Sequence, residues 1–519
     1  MIGTGNEKNR LRKLDATTIP EIMGRPVYLV KYNPSYIREI LSVYGDFPEI
    51  RGVLDENERK QGSFDVDNIS VEVYPLSKIS EIPDSSAIII TDGYYMEYYD
   101  LLLKEPGVEG RFETIYFYAN RDSSYYLSYR EEYSGLPLEN IIIFRSGPPV
   151  SSYVRGTDFY DNARALFEYM LSIHFNEKYK LVWLVKDPAE FVSYEEKYEN
   201  VSFLPMSSSI SDDETERREY YRNLCLAKYI FMTDAYGFCR YPREGQIRVQ
   251  LWHGCGFKTR TTFARCEHRY EYNIVISPLY SQIHQRIYGL REDQILITGY
   301  PKEDLLFHPA SDWRDKLKIR RASKYIFWLP TFRTPVSQLS DLDERAPGGE
   351  TGLPIVPDNK AMEELNRLLA DNDTLMIIKI HPVQDVSMLH IGEFSNIVSL
   401  ENETIYDAGL MINEILGHAD ALISDYSSAA VDYLLLDRPI GFTLDDVEEY
   451  EQSRGFVFDN IRDYLPGVEI YGFEDFLQFV RDVITGNDTA RDKRQRIRRE
   501  MHAFSDDRSS QRLIDALNM

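Results

Sequence analysis

Short apolar runs, each closed by a polar, glycine or proline residue, recur along the whole chain and alternate with segments of helical period. That alternation predicts parallel sheets with crossover helices. In the first region Val27-Tyr28-Leu29-Val30 reads as a strand, Tyr36 to Tyr44 as a helix and Arg51 to Asp55 as a second strand. Further strands are expected at Ala87 to Thr91, Thr114 to Tyr118 and Asn140 to Phe144, and residues 1–25, polar and mixed in charge, read as a tail or a first helix. The stretch Ser146-Gly147-Pro148-Pro149-Val150-Ser151-Ser152 is a linker candidate. It sets a first α/β domain of Rossmann-like type at 1–150. A second α/β region, 156–295, holds a helix at Asn162 to Ile173 and strands at Lys180 to Val185 and Tyr229 to Thr233. A third, 296–519, repeats the alternation.

Five apolar strands end abruptly in small or reactive residues. They are Val249-Gln250-Leu251-Trp252-His253-Gly254, Thr298-Gly299-Tyr300-Pro301, Trp328-Leu329-Pro330-Thr331-Phe332-Arg333, Ile378-Lys379-Ile380-His381-Pro382 and Ile423-Ser424-Asp425-Tyr426-Ser427-Ser428. Ligands of open α/β sheets bind beyond the carboxyl ends of the strands, so these five ends are expected to line one crevice. The last segment runs straight into an apolar helix. Ser427 and Ser428 then stand where orphan backbone N–H groups and a positive helix end favour phosphate. The same residues also suit a plain N-cap.

Together these motifs, in this order, resemble the CDP-glycerol glycerophosphotransferase family, the teichoic-acid primases and polymerases. The resemblance covers about residues 156–515 and includes Arg438-Pro439-Ile440-Gly441-Phe442 and Arg454-Gly455-Phe456-Val457-Phe458-Asp459. It implies a GT-B-like pair of Rossmann-like domains facing a cleft. Residues 156–295 would form the acceptor-side half and 296–519 the CDP-polyol donor-binding half. It implies transfer of a polyol phosphate, glycerol phosphate first, from CDP-glycerol or CDP-ribitol to an acceptor hydroxyl, with release of CMP. The acceptor would be a lipid-linked or glycan polymer of a teichoic-acid-like or capsular surface polysaccharide. By the same resemblance His253 is the general base and His381 a pyrophosphate contact or leaving-group acid. Arg333, whose planar guanidinium suits phosphate, binds the donor with Thr331, Lys379, Asp425, Ser427 and Ser428. Cys255-Gly256-Phe257-Lys258 departs from the family's usual Thr-Pro-Leu-Lys, a difference that bears on the acceptor more than on the transfer. A nucleotide-sugar glycosyltransferase or epimerase of the same architecture is the competing enzyme class.

Composition narrows the picture. A chain of 519 residues exceeds one core. Its net charge of −25 disfavours a nucleic-acid partner. The basic segment Arg491, Lys493, Arg494, Arg496, Arg498 and Arg499 reads either as a solvated helix face or as a surface docking on the inner membrane face. No apolar run is long enough to span a bilayer and residues 1–8 carry no signal-peptide core, so a cytoplasmic protein is expected, peripheral at the membrane if that helix docks. The four cysteines form no C-x-x-C pair, and no H-E-x-x-H occurs, so no metal and no cofactor beyond the donor substrate is expected. Asp55 ends a strand as a ribose-binding acid does, but the G-x-G-x-x-G fingerprint of NAD binding is missing after Val30.

Overall fold

The computed structural model describes residues 10–67, 69–147, 156–233, 238–259, 270–330, 350–379, 394–453 and 455–519. The chain folds into two compact units. The first comprises Met1–Pro137 together with Ser207–Leu226 and Gly237–Glu244, and the second comprises Leu138–Met206, Ala227–Tyr236 and Gly245–Met519.

In the first unit seven strands form a sheet in the order Arg10–Lys13, Thr114–Phe117, Ala87–Ile90, Val27–Val30, Ile50–Asp55, Ile69–Pro75, Gly62–Val66. All neighbours are parallel except the terminal Gly62–Val66 and Ile69–Pro75 hairpin. The expected helix is present as Pro34–Val43, its N-terminus capped by the Asn33 side chain. The segment read as a tail or first helix contributes a short helix, Ile19–Ile22, and before it an edge strand, Arg10–Lys13, whose Arg10 N–H donates to the Glu113 carbonyl at the sheet margin. The helix Glu214–Leu226 returns to this unit: Tyr221 stacks on Tyr129 at 5.0 Å, and its hydroxyl donates a hydrogen bond to Asp122 Oδ1 at 2.8 Å. Arg240 also returns, lying over the Tyr94 ring and against Gly93, where a β-carbon would meet its guanidinium.

The boundary therefore differs from the expected 1–150 domain. The strand Glu139–Ser146 is not the end of the first sheet. It pairs with Lys180–Val185 and Ala227–Thr233 at the centre of the second sheet. Its apolar run Ile141 to Phe144 is wholly buried, as a strand covered on both faces must be.

The second unit holds two all-parallel sheets. One runs Val201–Pro205, Lys180–Val185, Glu139–Ser146, Ala227–Thr233, Ile247–Gln250, Tyr272–Val275, Ile295–Ile297. The other runs Ile397–Leu400, Thr374–Lys379, Lys324–Leu329, Ala421–Ser424, Ile440–Thr443, Val468–Ile470. Counted within each sheet, both follow the doubly wound order 3-2-1-4-5-6, the first with one further strand. This is the fold class expected from the pattern of runs.

The C-terminal helices join the layers of this unit. Phe473–Thr485 buries Phe476 and Val480 among the Trp328 cluster of the third sheet. The Ser509–Ala516 helix instead seats on the second sheet's helices: Asp304 accepts from Ser509 N–H and Ser510 N–H, each at 2.8 Å. In the basic helix Arg491–Met501, Arg494 points inward and pairs with Asp437 at 3.0 Å and Asp488 at 2.6 Å. Lys493 pairs with Glu469 and Arg496 with Glu500, which leaves less bare positive charge than the sequence suggests.

Candidate active site

The strand Ile247–Gln250 ends in a loop whose backbone is fixed residue by residue. The Gln250 side chain accepts from Trp252 N–H at 3.0 Å, and Trp252 itself takes a left-handed conformation, φ 57°. Asn162 Nδ2 donates to the carbonyls of Leu251 and Trp252 at 3.1 and 3.0 Å. Lys302 Nζ donates to the carbonyl of His253 at 2.5 Å. Three successive carbonyls are thus held by side chains at the starts of two helices, Asp161–Ser172 and Pro301–Asp304. The His253 ring stacks near-parallel on Trp252, centroids 5.4 Å apart.

Beyond His253 the chain runs onto the third sheet's layer. A β-carbon on Gly254 would lie 2.7 Å from Ser428 Oγ, and one on Gly256 3.4 Å from Ser428 Cβ. Glycine at 254 also answers a φ of 142°. The His253 loop and the helix Ser428–Tyr433 are therefore in direct contact, which joins two of the five sequence motifs. Next, Phe257 accepts from Val457 N–H at 2.8 Å and Thr259 N–H donates to Gly455. The Phe456 segment thereby pairs with the tail of the same loop.

Ser424 ends a strand at the switch point of the third sheet, between Lys324–Leu329 and Ile440–Thr443. Ser427 is the N-cap of the following helix and accepts from Ala429 N–H at 3.3 Å. Asp425 is buried in the turn. Register places Ile378 beside Trp328 and Trp328 beside Ile423, so Lys379 sits on the same rung as Leu329 and Ser424, two strands over. Burial pulls the Lys379 ammonium down to about 8. Thr331, Arg333 and His381 lie outside the described residues.

Behind His253 the unit buries a polar network. Asn273 gives its amide N–H to the Gln250 carbonyl, so its oxygen accepts from His284 Nδ1, and His284 Nε2 faces Cys255 Sγ at 3.8 Å. The order Cys, His, Asn is that of a thiol nucleophile, but Cys255 is enclosed and burial pushes its thiol up, well above the ordinary range. A buried thiol of that kind is inert. Cys255 fills space and hydrogen-bonds with the Tyr300 hydroxyl at 3.0 Å.

Comparison with known proteins decides among the families such a site would suit. The family model of CDP-glycerol:poly(glycerophosphate) glycerophosphotransferases matches residues 141–518. The chain belongs to this family. It is 26% identical over 359 residues to the teichoic acid glycerol-phosphate transferase of Staphylococcus aureus, a match covering 64% of this chain and 81% of that one. It is 26% identical over 312 residues to the teichoic acid ribitol-phosphate polymerase TarL of the same organism, covering 56% of this chain and 51% of that one. The chain thus spans about half the length of the ribitol-phosphate polymerases it matches, at 51% and 56%. Among solved structures, the wall teichoic acid polymerase TagF aligns with a TM-score of 0.58 at 20% identity, over 77% of this chain and 92% of that one. That likeness fixes the GT-B-like fold of the glycerophosphotransferase region.

Two residues central to this geometry carry no motif of their own in the sequence. Asn162 reads only as the start of an amphipathic helix. Lys302 follows Tyr300-Pro301, where the proline reads as a strand stop. The Gly-Tyr-Pro segment proves to seat the C-terminal helix: a β-carbon on Gly299 would lie 2.4 Å from Ser509 Oγ.

Proposed function

We propose that this glycerophosphotransferase family member moves a polyol phosphate from a CDP-activated donor, glycerol first and ribitol second, to an acceptor hydroxyl. The observation that carries the reading is the contact between the His253-Gly254 loop and the helix starting at Ser428. It sets the loop that carries His253 against the start of that helix, on a chain of the glycerophosphotransferase family.

The acceptor oxygen attacks the phosphorus that carries the polyol, forming the new P–O bond. The pyrophosphate P–O bond breaks and its electron pair leaves with CMP. His253 accepts the acceptor's proton, and its fixed backbone keeps the ring at one distance from the reacting phosphorus. Transfer of this kind depends mainly on positioning and on neutralising phosphate charge. Ser428 and the positive end of its helix supply part of that neutralisation, and Lys379 supplies a cation below pH 8. By the family resemblance Arg333 and Thr331 bind the donor, and His381 contacts its pyrophosphate or protonates the leaving group. The acceptor is a lipid-linked or glycan polymer of the cell surface.

Mass spectrometry after incubation with CDP-glycerol, CDP-ribitol and a UDP-sugar, each with polyol-phosphate or glycolipid acceptors, tests the reading. CMP release with addition of one polyol phosphate supports it. Turnover of the UDP-sugar alone would replace it with a glycosyltransferase.

A further inference from the structure

Behind the His253 loop lies a cation that the transfer chemistry does not use. The Lys302 side chain is 8% exposed, 3.0 Å from Asp432 Oδ2 and 3.7 Å from Asp161 Oδ1. Burial alone would lower its ammonium, but Asp161 and Asp432 more than offset this and hold it above the usual lysine value. The charge is therefore permanent. Asp432 lies one turn after Ser428 in the same helix, and Asp161 opens the helix Asp161–Ser172. The Lys302 N–H also donates to Asn162 Oδ1 at 3.1 Å, and the other end of that amide holds the Leu251 and Trp252 carbonyls. One residue thus ties the His253 carbonyl to the helix that begins at Ser428.

We propose that Lys302 is a positioning residue. It keeps the His253 loop in register with the Ser428 helix, so that the base and the donor site hold one separation throughout the reaction. The proposal rests on the transferase reading of His253 and Ser428 given above. A buried ion pair that served stability alone could be exchanged for neutral residues of similar size at little cost. A positioning clip could not, because the hydrogen bond to the His253 carbonyl would go with it.

Lys302→Met by itself leaves Asp432 buried without its cation and can unfold the chain. The deciding variant is therefore Lys302→Met with Asp432→Asn and Asp161→Asn, which removes the cation together with both of its carboxylates. Two readouts are taken on the full chain: hydrogen exchange of residues 251–257, and kcat with the dissociation constant for CDP-glycerol. The expected result is a folded protein by circular dichroism in which exchange over 251–257 rises by roughly tenfold or more while the sheets keep their protection. Donor affinity should stay within about threefold and kcat should fall roughly 10- to 100-fold, as a misplaced base requires. Wild-type exchange over 251–257 would overturn the proposal, and so would a loosened loop with wild-type kcat. If the wild-type chain released CMP from neither CDP-polyol, the transferase reading would fall, and the exchange readout alone would still decide whether Lys302 holds the loop.

Discussion

His253 is worth little as a base unless its backbone stays put, and the carbonyls on either side of it are held by Asn162 and Lys302. Replacing His253 with alanine is expected to lower kcat by roughly 10²–10⁴-fold, the usual range for a lost general base. Stopped-time assays of CMP release measure it, and a variant that turns over like the wild type would remove His253 from the mechanism. A second histidine has a different fate. His502 is enclosed, its Nε2 2.9 Å from the Val431 carbonyl, and burial pulls it from the ordinary 6.5 to about 4. The unfolded chain binds a proton below pH 6.5 that the folded chain refuses until about pH 4. Stability is therefore expected to be lost as pH falls through that window, by up to roughly 3 kcal/mol from this residue. Urea unfolding at pH 7.5 and pH 5.0 on the wild type and His502→Gln checks it. The variant should show a shallower loss, and parallel losses in both proteins would rule the linkage out.

At the scale of elements, strand ends were legible because an apolar run that stops at His-Gly or Ser-Ser is hard to place anywhere else. What those ends touch was not legible. The motif does not show that Gly254 gives room to Ser428. Gly254→Ala is expected to destabilise the chain by about 1–3 kcal/mol, since φ 142° is unfavourable to any side chain and the new methyl meets Ser428 Oγ at 2.7 Å. Gly256→Ala, whose methyl would stand 3.4 Å from Ser428 Cβ without a positive φ, should cost less than about 1 kcal/mol. Thermal unfolding of the two variants compares them directly, and equal losses would mean that the close approach at 254 is not built as described. Lys302 stayed hidden for a physical reason: a lysine after a proline looks like surface, and only the arrival of Asp432 from 130 residues further on makes it a buried hub.

At the scale of the molecule, the three largely parallel sheets follow from the spacing of apolar runs, but the unit boundary does not. Glu139–Ser146 resembles the other strands of the first region, and nothing local says that it pairs with Ala227–Thr233 instead. Nor does sequence order show that Glu214–Leu226 and Arg240 complete the first unit. A chain beginning at residue 138 would strip from Glu214–Leu226 and from Arg240 the residues they pack on in the first unit, among them Tyr129, Asp122 and Tyr94. Such a truncation is expected to aggregate or to melt well below the full chain, because several large side chains at about 1.5–3 kcal/mol each would face water. Size-exclusion chromatography with thermal melting tests this. A monomer with the full chain's melting temperature would show the first unit to be dispensable.

The central claim is that the Ser428 helix start and the His253 loop form one active site with divided roles, the first for the donor and the second for the acceptor. Calorimetric titration of CDP-glycerol into the wild type, Ser427→Ala with Ser428→Ala, and His253→Ala tests it most directly. Ser427 Oγ already serves Ala429 N–H, so the double alanine loses about one hydrogen bond to a charged phosphate, some 1.5–3 kcal/mol. The account predicts donor affinity weaker by roughly 10- to 100-fold in the double alanine and nearly unchanged in His253→Ala. Unchanged affinity in the double alanine, with its fold intact by circular dichroism, would make these serines helix caps and contradict the account.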